Sequence, residues 1–399
     1  MFNRLPVQAS LFFLLYFGAT GAIQPYLNLY YEDRGMSHAQ IGYLAALPTI
    51  TGVIAAPLWS AAADILRRHR LILVGAMCCT LIPVGMLMQA TRFSTLALSV
   101  VLIFLFLSPI IPLADHAILS GLKNRDSYGR VRLWGSIGWA AAAWGSGILV
   151  EQSSLSVAAL IFFAFMIPNI YITSRLPAPP QQETENSYIG DMLLMIRNPT
   201  WLGSLMAIFL AGTGLSILMN YFPLYLKALD AGEGLYGLSV SVSALSELPF
   251  FFLSPLLIRR FTPRGVLLIA FMTLAIRAFL TSQITDPRWA IPVQLLHGPS
   301  FAGMWTAGVI FIRQISPERI GASVQSAIGI SMFGAAGVAG ALIGAQLYDN
   351  PGAVATFQIA GLIALGGFIL FWFVGRLPDA NNETSPYDVV DSLKGVDHL

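Results

Sequence analysis

The chain has 399 residues, 56% of them hydrophobic and only 11% charged, with a formal net charge of +2. Soluble domains carry about 25% charged residues, so this composition excludes a water-soluble globular protein and points to an integral membrane protein; the net charge carries no sign of nucleic-acid binding. The 36 glycines and 23 prolines, with 12% aromatic residues, suit closely packed and locally broken spanning helices.

A membrane span needs about 20 apolar residues. On that measure the chain predicts helices over residues 9–31, 39–63, 71–90, 95–121, 129–150 and 155–175. After a polar gap come 200–226, 236–258, 265–285, 289–314, 319–347 and 353–376. Charged breaks at Glu32 to Arg34, Arg67–Arg68, Arg259–Arg260 and Asp286 to Arg288 separate many of them. The first run, beginning after Arg4, is too long for a signal-peptide core and is read as the first span. Cys78 and Cys79 lie side by side in an apolar run and read as small buried hydrophobes with no redox role. The expected fold is all-α: twelve transmembrane helices in two pseudo-symmetric six-helix bundles. Residues 1–175 form the first bundle, 176–198 a cytoplasmic linker, 199–376 the second bundle and 377–399 a disordered cytoplasmic tail. Pro177, Pro179 and Pro180 open the linker, which is expected to hold a short amphipathic helix near Tyr188 to Ile196.

Of the 22 Lys and Arg residues, only Arg34, Arg92, Lys227 and Arg288 fall on one side of this threading, with Arg277 inside the membrane. The rest lie at the ends and loops of the other side, which positive-inside bias makes cytoplasmic together with both termini. The halves also repeat. Pro57 precedes Arg67–Arg68 as Pro249 precedes Arg259–Arg260, an interval of 192 residues; Ser136–Ile137–Gly138 meets Ala327–Ile328–Gly329 at 191. Related halves place a substrate site at their interface near mid-membrane.

Three ionisable residues sit in separate apolar runs: Glu247, Arg277 and His297. A charge at the centre of a span costs roughly 2.5–3.5 kcal/mol, so each is a functional suspect. Counted from their expected outer ends at 1.5 Å per residue, they lie at depths of ~16, ~14 and ~12 Å, within one helical turn. Protonation of a buried carboxylate depends on whether an arginine stands beside it, so movement relative to Arg277 could switch Glu247. His297 is the other side chain able to titrate near neutrality. The alternative is a fixed ion pair locking the helices, with His297 a hydrogen-bonded core residue. In the first half, Asp115 and Arg132 flank a polar turn at similar depth, either as a salt bridge tying a hairpin or as substrate contacts; His116 points about 100° away from Asp115 and reads as packing. Asn28, Trp139, Asn220 and Trp305 are candidate cavity-lining residues. Pro25 and Pro223 are candidate bends.

No nucleotide-binding loop, zinc-protease helix or nucleophile elbow occurs, so ATP drive and membrane hydrolysis have no residues to act through. The five histidines are scattered, and neither a metal nor a cofactor is expected.

The stretch from Asp64 to Arg70 resembles the loop signature of the major facilitator superfamily between its second and third spans. Asp64, Arg68 and Arg70 stand where the motif needs them, while Ser60 and Arg67 replace its two glycines. Three further strings, YGRVRLWGSIGW from Tyr128 to Trp139, SELP from Ser246 to Pro249 and QLLHGPSF from Gln294 to Phe301, resemble the phenylpropionate permease branch. That branch is related to the lactose permease and nucleoside symporter group. The resemblance implies sugar-contacting roles for Asp115, Arg132 and Trp139, and proton-coupling roles for Glu247, Arg277 and His297. The group's additional span-ten carboxylate would fall near Ser300, so the proton work moves to Glu247. The expected function is a secondary active transporter in the inner membrane, a functional monomer. It would be a proton-coupled symporter for an aromatic acid, sugar or nucleoside. The alternatives are a proton-driven efflux antiporter, disfavoured by the absence of proline between Gly135 and Gly147, and a non-transporting sensor, which would need a soluble domain.

Overall fold

The computed structural model describes residues 5–122, 128–177, 198–316 and 321–375, with the backbone alone at residue 64 and residues 321–324. Among these residues every regular element is helical. Ten runs are long and apolar enough to cross a bilayer. One of them, Glu233–Ser282, is two helices that meet at Thr262, where φ 60° and ψ 159° break the spiral. A shorter apolar helix, Val157–Thr173, has 17 residues. Splitting the first and adding the second gives twelve rods among the described residues. They are α1 (Leu5–Asp33), α2 (His38–Leu66), α3 (His69–Gln89), α4 (Phe93–Gly121), α5 (Tyr128–Glu151) and α6 (Val157–Thr173). The second set is α7 (Pro199–Ala228), α8 (residues 233–261), α9 (residues 263–282), α10 (Pro287–Gln314), α11 (residues 321–349) and α12 (Ala353–Val374).

Helix ends follow the charged breaks. Arg34 to Ser37 turn the chain between α1 and α2, with Gly35 at φ 78°, a conformation that glycine adopts without steric cost. Between α8 and α9 the charge pattern predicts a loop around Arg259–Arg260, yet both arginines remain helical. Pro263 starts α9 at once, because the first turn of a helix does not need its missing N–H. The joint is therefore a single residue, and a β-branched one. Four rods are interrupted: α1 at Gln24–Tyr26 around Pro25, α4 at Ser108–Pro109, α10 by a π turn at Gly298–Ala302, and α11 by another at Ile330–Ala335. Proline removes a donor from the ladder, and π turns free backbone groups, so both loosen a helix locally. Pro25 thus marks a bend as expected, whereas Pro223 lies inside continuous α7. The linker helix expected near 188–196 and the tail after 376 lie outside the described residues.

Within the first half α1 packs on α5 and α6, and α3 on α4; within the second α7 packs on α11 and α12, and α9 on α12. Small residues permit the closest of these approaches. Gly138 meets the Leu14 backbone, Gly21 the Trp139 backbone, and Gly340 meets Ser216. The halves touch through α2 on α11 and α5 on α8. Every hydrogen bond or ion pair between them, among the described residues, lies toward the face of the turns at 34–37, 229–232 and 350–352. Tyr236 donates to the Pro25 carbonyl (2.9 Å), Ser241 to that of Ala140 (2.6 Å), and the Gly234 N–H to Glu151 (2.9 Å). Lys227 pairs with Glu32 at 2.8 Å, and His38 with Asp349 at 2.5 Å. This is the sealed face. Toward the opposite, basic face the same helices expose Leu58 on α2, Trp134 on α5 and Phe252 on α8.

Candidate functional site

Beneath the seal, between the halves, lies a cavity of about 370 Å³. Its wall includes Asn28, Trp139, Asn220, Arg277, Gln294 and His297. The volume falls in the roughly 300–1,000 Å³ range of small-molecule sites.

The three ionisable residues of α8, α9 and α10 come together at this cavity. Arg277 donates through Nη1 to His297 Nδ1 (2.7 Å) and through Nη2 to Gln294 Oε1 (2.6 Å). His297 Nε2 lies 3.1 Å from Glu247 Oε1. A guanidinium can only donate, so Nδ1 is the acceptor and the neutral ring carries its proton on Nε2, which donates to Glu247. The result is a directed chain, Gln294 from Arg277, Arg277 to His297, His297 to Glu247. Arg277 is 4% exposed, His297 5% and Gln294 4%; the Glu247 side chain retains 22%. Removing one partner from such a buried set costs about 3–5 kcal/mol, because the other is left uncompensated.

The helices enforce this register locally. Gly298, next to His297, packs so closely on the Ser246 carbonyl, next to Glu247, that no side chain fits there. Its N–H donates to Ser246 Oγ at 2.8 Å, a bond available because the π turn releases it from the α10 ladder. Phe301 lies one turn on and stacks parallel on the imidazole, centroids 5.0 Å apart at 8°. Glu247 and His297 are thereby held by their neighbours as well as by each other.

The second cluster belongs to α4 and α5. Tyr128 interacts with both Asp115 and Arg132. The Arg132 guanidinium sits 4.2 Å over the Phe17 ring and 4.9 Å from that of Phe13. One Asp115 oxygen is buried without a hydrogen-bond partner among the described residues. Neither residue lines the cavity, although Trp139, two turns above Arg132, does. His116 meets His69 edge to face at 5.6 Å. Asn28 and Asn220 line the cavity as expected. Trp305 does not: it packs on Phe333, which does (5.5 Å), and so stands one layer behind the wall. Arg68 and Arg70 are exposed at the basic face; the Asp64 side chain lies outside the described residues.

Sequence reasoning missed Gln294, Ser246, Tyr31 and Tyr128. Signals existed for two of them. Gln294 precedes His297 by three residues and Tyr31 follows Asn28 by three, spacings that share a helix face. The interval between Asn28 and Asn220 is 192, the same as that of the proline repeat.

Two packed helical halves around a cavity sealed toward one face define the architecture of a multi-pass membrane carrier. The sequence family agrees over almost the full span: residues 7–359 match the MFS_1 like family, and the chain belongs to it. The maltose permease of Geobacillus stearothermophilus is 29% identical over 328 residues, covering 80% of this chain and 82% of that one. The probable 3-phenylpropionic acid transporter of Escherichia coli (strain K12) is 24% identical over 317 residues, covering 76% and 81%. Among solved structures, the nucleoside transporter NupG superposes with a TM-score of 0.85 at 18% identity, covering 94% of this chain and all of that one. The protein is a secondary transporter of the major facilitator superfamily, embedded in a membrane by many apolar helices, and not an enzyme.

Proposed function

We propose that this carrier is a proton-coupled symporter that takes up a small organic solute, with Glu247 as the exchangeable proton site. The observation that carries the reading is the chain from Gln294 through Arg277 and His297 to Glu247, at the wall of a cavity shared by both halves. A carboxylate reached by one imidazole N–H and near one guanidinium can gain or lose a proton when that geometry shifts. Rocking of the halves, residues 1–175 against 199–376 about the 176–198 linker, supplies the shift. With the basic face cytoplasmic, as the Lys/Arg bias supports, the sealed face is external and the structure is inward-facing. Both termini are then cytoplasmic and the chain resides in the inner membrane. One proton suffices energetically: a membrane potential contributes about 2.3 kcal/mol per charge per 100 mV, and about 1.4 kcal/mol is tenfold accumulation.

The test is uptake into proteoliposomes with an imposed pH gradient. Wild-type protein should accumulate solute against its gradient and carry protons only when solute is present. Glu247→Gln should keep solute exchange while losing gradient-driven accumulation. Accumulation by Glu247→Gln at the wild-type level would sink the reading.

A further inference from the structure

The sealed end of the cavity carries polar groups that the charged chain does not use. Asn28 and Asn220 meet there across the halves. The Asn28 amide donates to the Asn220 backbone carbonyl at 2.8 Å and to its side-chain oxygen at 3.2 Å. The Asn220 amide turns back to Ser216, at 2.9 Å from its carbonyl and 3.2 Å from its hydroxyl. On α1, Gln24 lies one turn before Asn28 and Tyr31 one turn after, and all of these residues line the cavity. Tyr31 is 1% exposed, and its hydroxyl has no hydrogen-bond partner among the described residues. A buried hydroxyl left unpaired is costly, so an occupant that supplies the missing partner binds more tightly for it.

The charges point the same way. The cation on the cavity wall, Arg277, is 4% exposed; its two Nη groups donate to His297 and Gln294, and its buried Nε has no partner among the described residues. Arg132 is not part of the wall. A carboxylate entering this space would find both Nη groups of Arg277 already bonded and only its buried Nε open, and would add a negative charge near Glu247. Amides, hydroxyls and the Trp139 ring instead match a ligand that offers hydroxyls along its rim and an apolar ring face.

We infer that the sealed end, Gln24, Asn28, Tyr31, Ser216 and Asn220, is a substrate subsite for an uncharged, hydroxyl-bearing ring compound, a sugar or a nucleoside, and not for an aromatic carboxylate. The inference rests on the transport reading in taking this cavity as the transport site. It also gives the Asn28 amide two mutually exclusive tasks. A ligand hydroxyl that takes this amide withdraws it from Asn220, so occupancy removes a bond that joins the halves.

Binding without any gradient separates this inference from proton coupling. Purified full-length protein is titrated with maltose, uridine and 3-phenylpropionate, following thermal shift and radioligand binding at one fixed pH. Maltose or uridine should bind and the carboxylate should not. Tyr31→Phe, which removes one oxygen, and Asn220→Ala should weaken that binding at least about tenfold while the unliganded melting temperature shows each variant folded. Glu247→Gln is titrated alongside. If it binds the neutral ligand but fails to accumulate it, both readings stand; if it accumulates normally, only the proton reading falls. Binding of 3-phenylpropionate alone, binding of none of the three, or neutral-ligand affinity indifferent to Tyr31→Phe and Asn220→Ala overturns the inference.

Discussion

The two halves each carry a carboxylate and an arginine, and they treat them differently. In the second half Arg277 is enclosed, its two Nη groups donate to His297 and Gln294, and the chain ends on Glu247 beside the cavity. In the first half Arg132 spreads over two phenylalanine rings and meets Asp115 through Tyr128, away from the cavity wall. The difference is one of contact type: directed hydrogen bonds in one cluster, ring faces in the other. Cation–π contacts are worth about 0.5–2 kcal/mol and tolerate displacement, whereas displacing one member of a buried directed chain costs several kcal/mol unless the others move or change protonation with it. Pseudo-symmetry thus constrains the backbones of the halves, while the polar chemistry within them has diverged.

The largest test of this contrast exchanges the same residue type in both clusters. Arg277→Gln should lower solute uptake by at least about 100-fold, the lower bound of the roughly 3–5 kcal/mol lost when a buried partner is removed. Arg132→Gln should cost far less. Equal losses would erase the distinction. A middle-sized effect is expected at Asp115→Asn, which keeps an acceptor for Tyr128. Losing about 0.5–1.5 kcal/mol corresponds to roughly 2- to 12-fold in initial uptake rate, with protein yield unchanged. The smallest effect sharpens the comparison by removing burial. Lys227 and Glu32 bridge the halves at 2.8 Å, but their side chains are 42% and 29% exposed. Lys227→Gln should raise maleimide labelling of Val240→Cys from the sealed side by less than about fivefold, and added salt should shrink the difference. A tenfold or larger change would mean that exposed charge governs the seal.

Helix positions and depths were legible in the sequence because charges end apolar runs. Glu32 to Arg34 and Arg67–Arg68 mark real ends, and counting residues from such breaks placed Glu247, Arg277 and His297 at one level. They are in fact within bonding reach of one another. Azimuth was less legible. A helix that is apolar on every side does not announce which face meets the cavity. Trp139 and Trp305 are each a tryptophan in an apolar run, yet one lines the cavity and the other packs behind Phe333. The α8–α9 junction was misjudged for a related reason. Arg259–Arg260 read as a loop, but arginine is a good helix former, and the break fell at Thr262 ahead of a helix-starting proline.

The bond from Arg277 to His297 Nδ1 has an electrical consequence. An imidazole passes protons onward only if both ring nitrogens are free to exchange them, and here one faces a group that never accepts. On the proposed coupling, His297 is a dead end for protons: Nε2 already carries the ring proton toward Glu247 and Nδ1 is capped by Arg277, so no proton passes through the ring. A carrier wired this way resists short-circuiting the membrane while it waits for solute. Substituting Arg277 by a residue that frees Nδ1 should therefore turn a silent carrier into a slow proton leak, detectable in liposomes with no solute present.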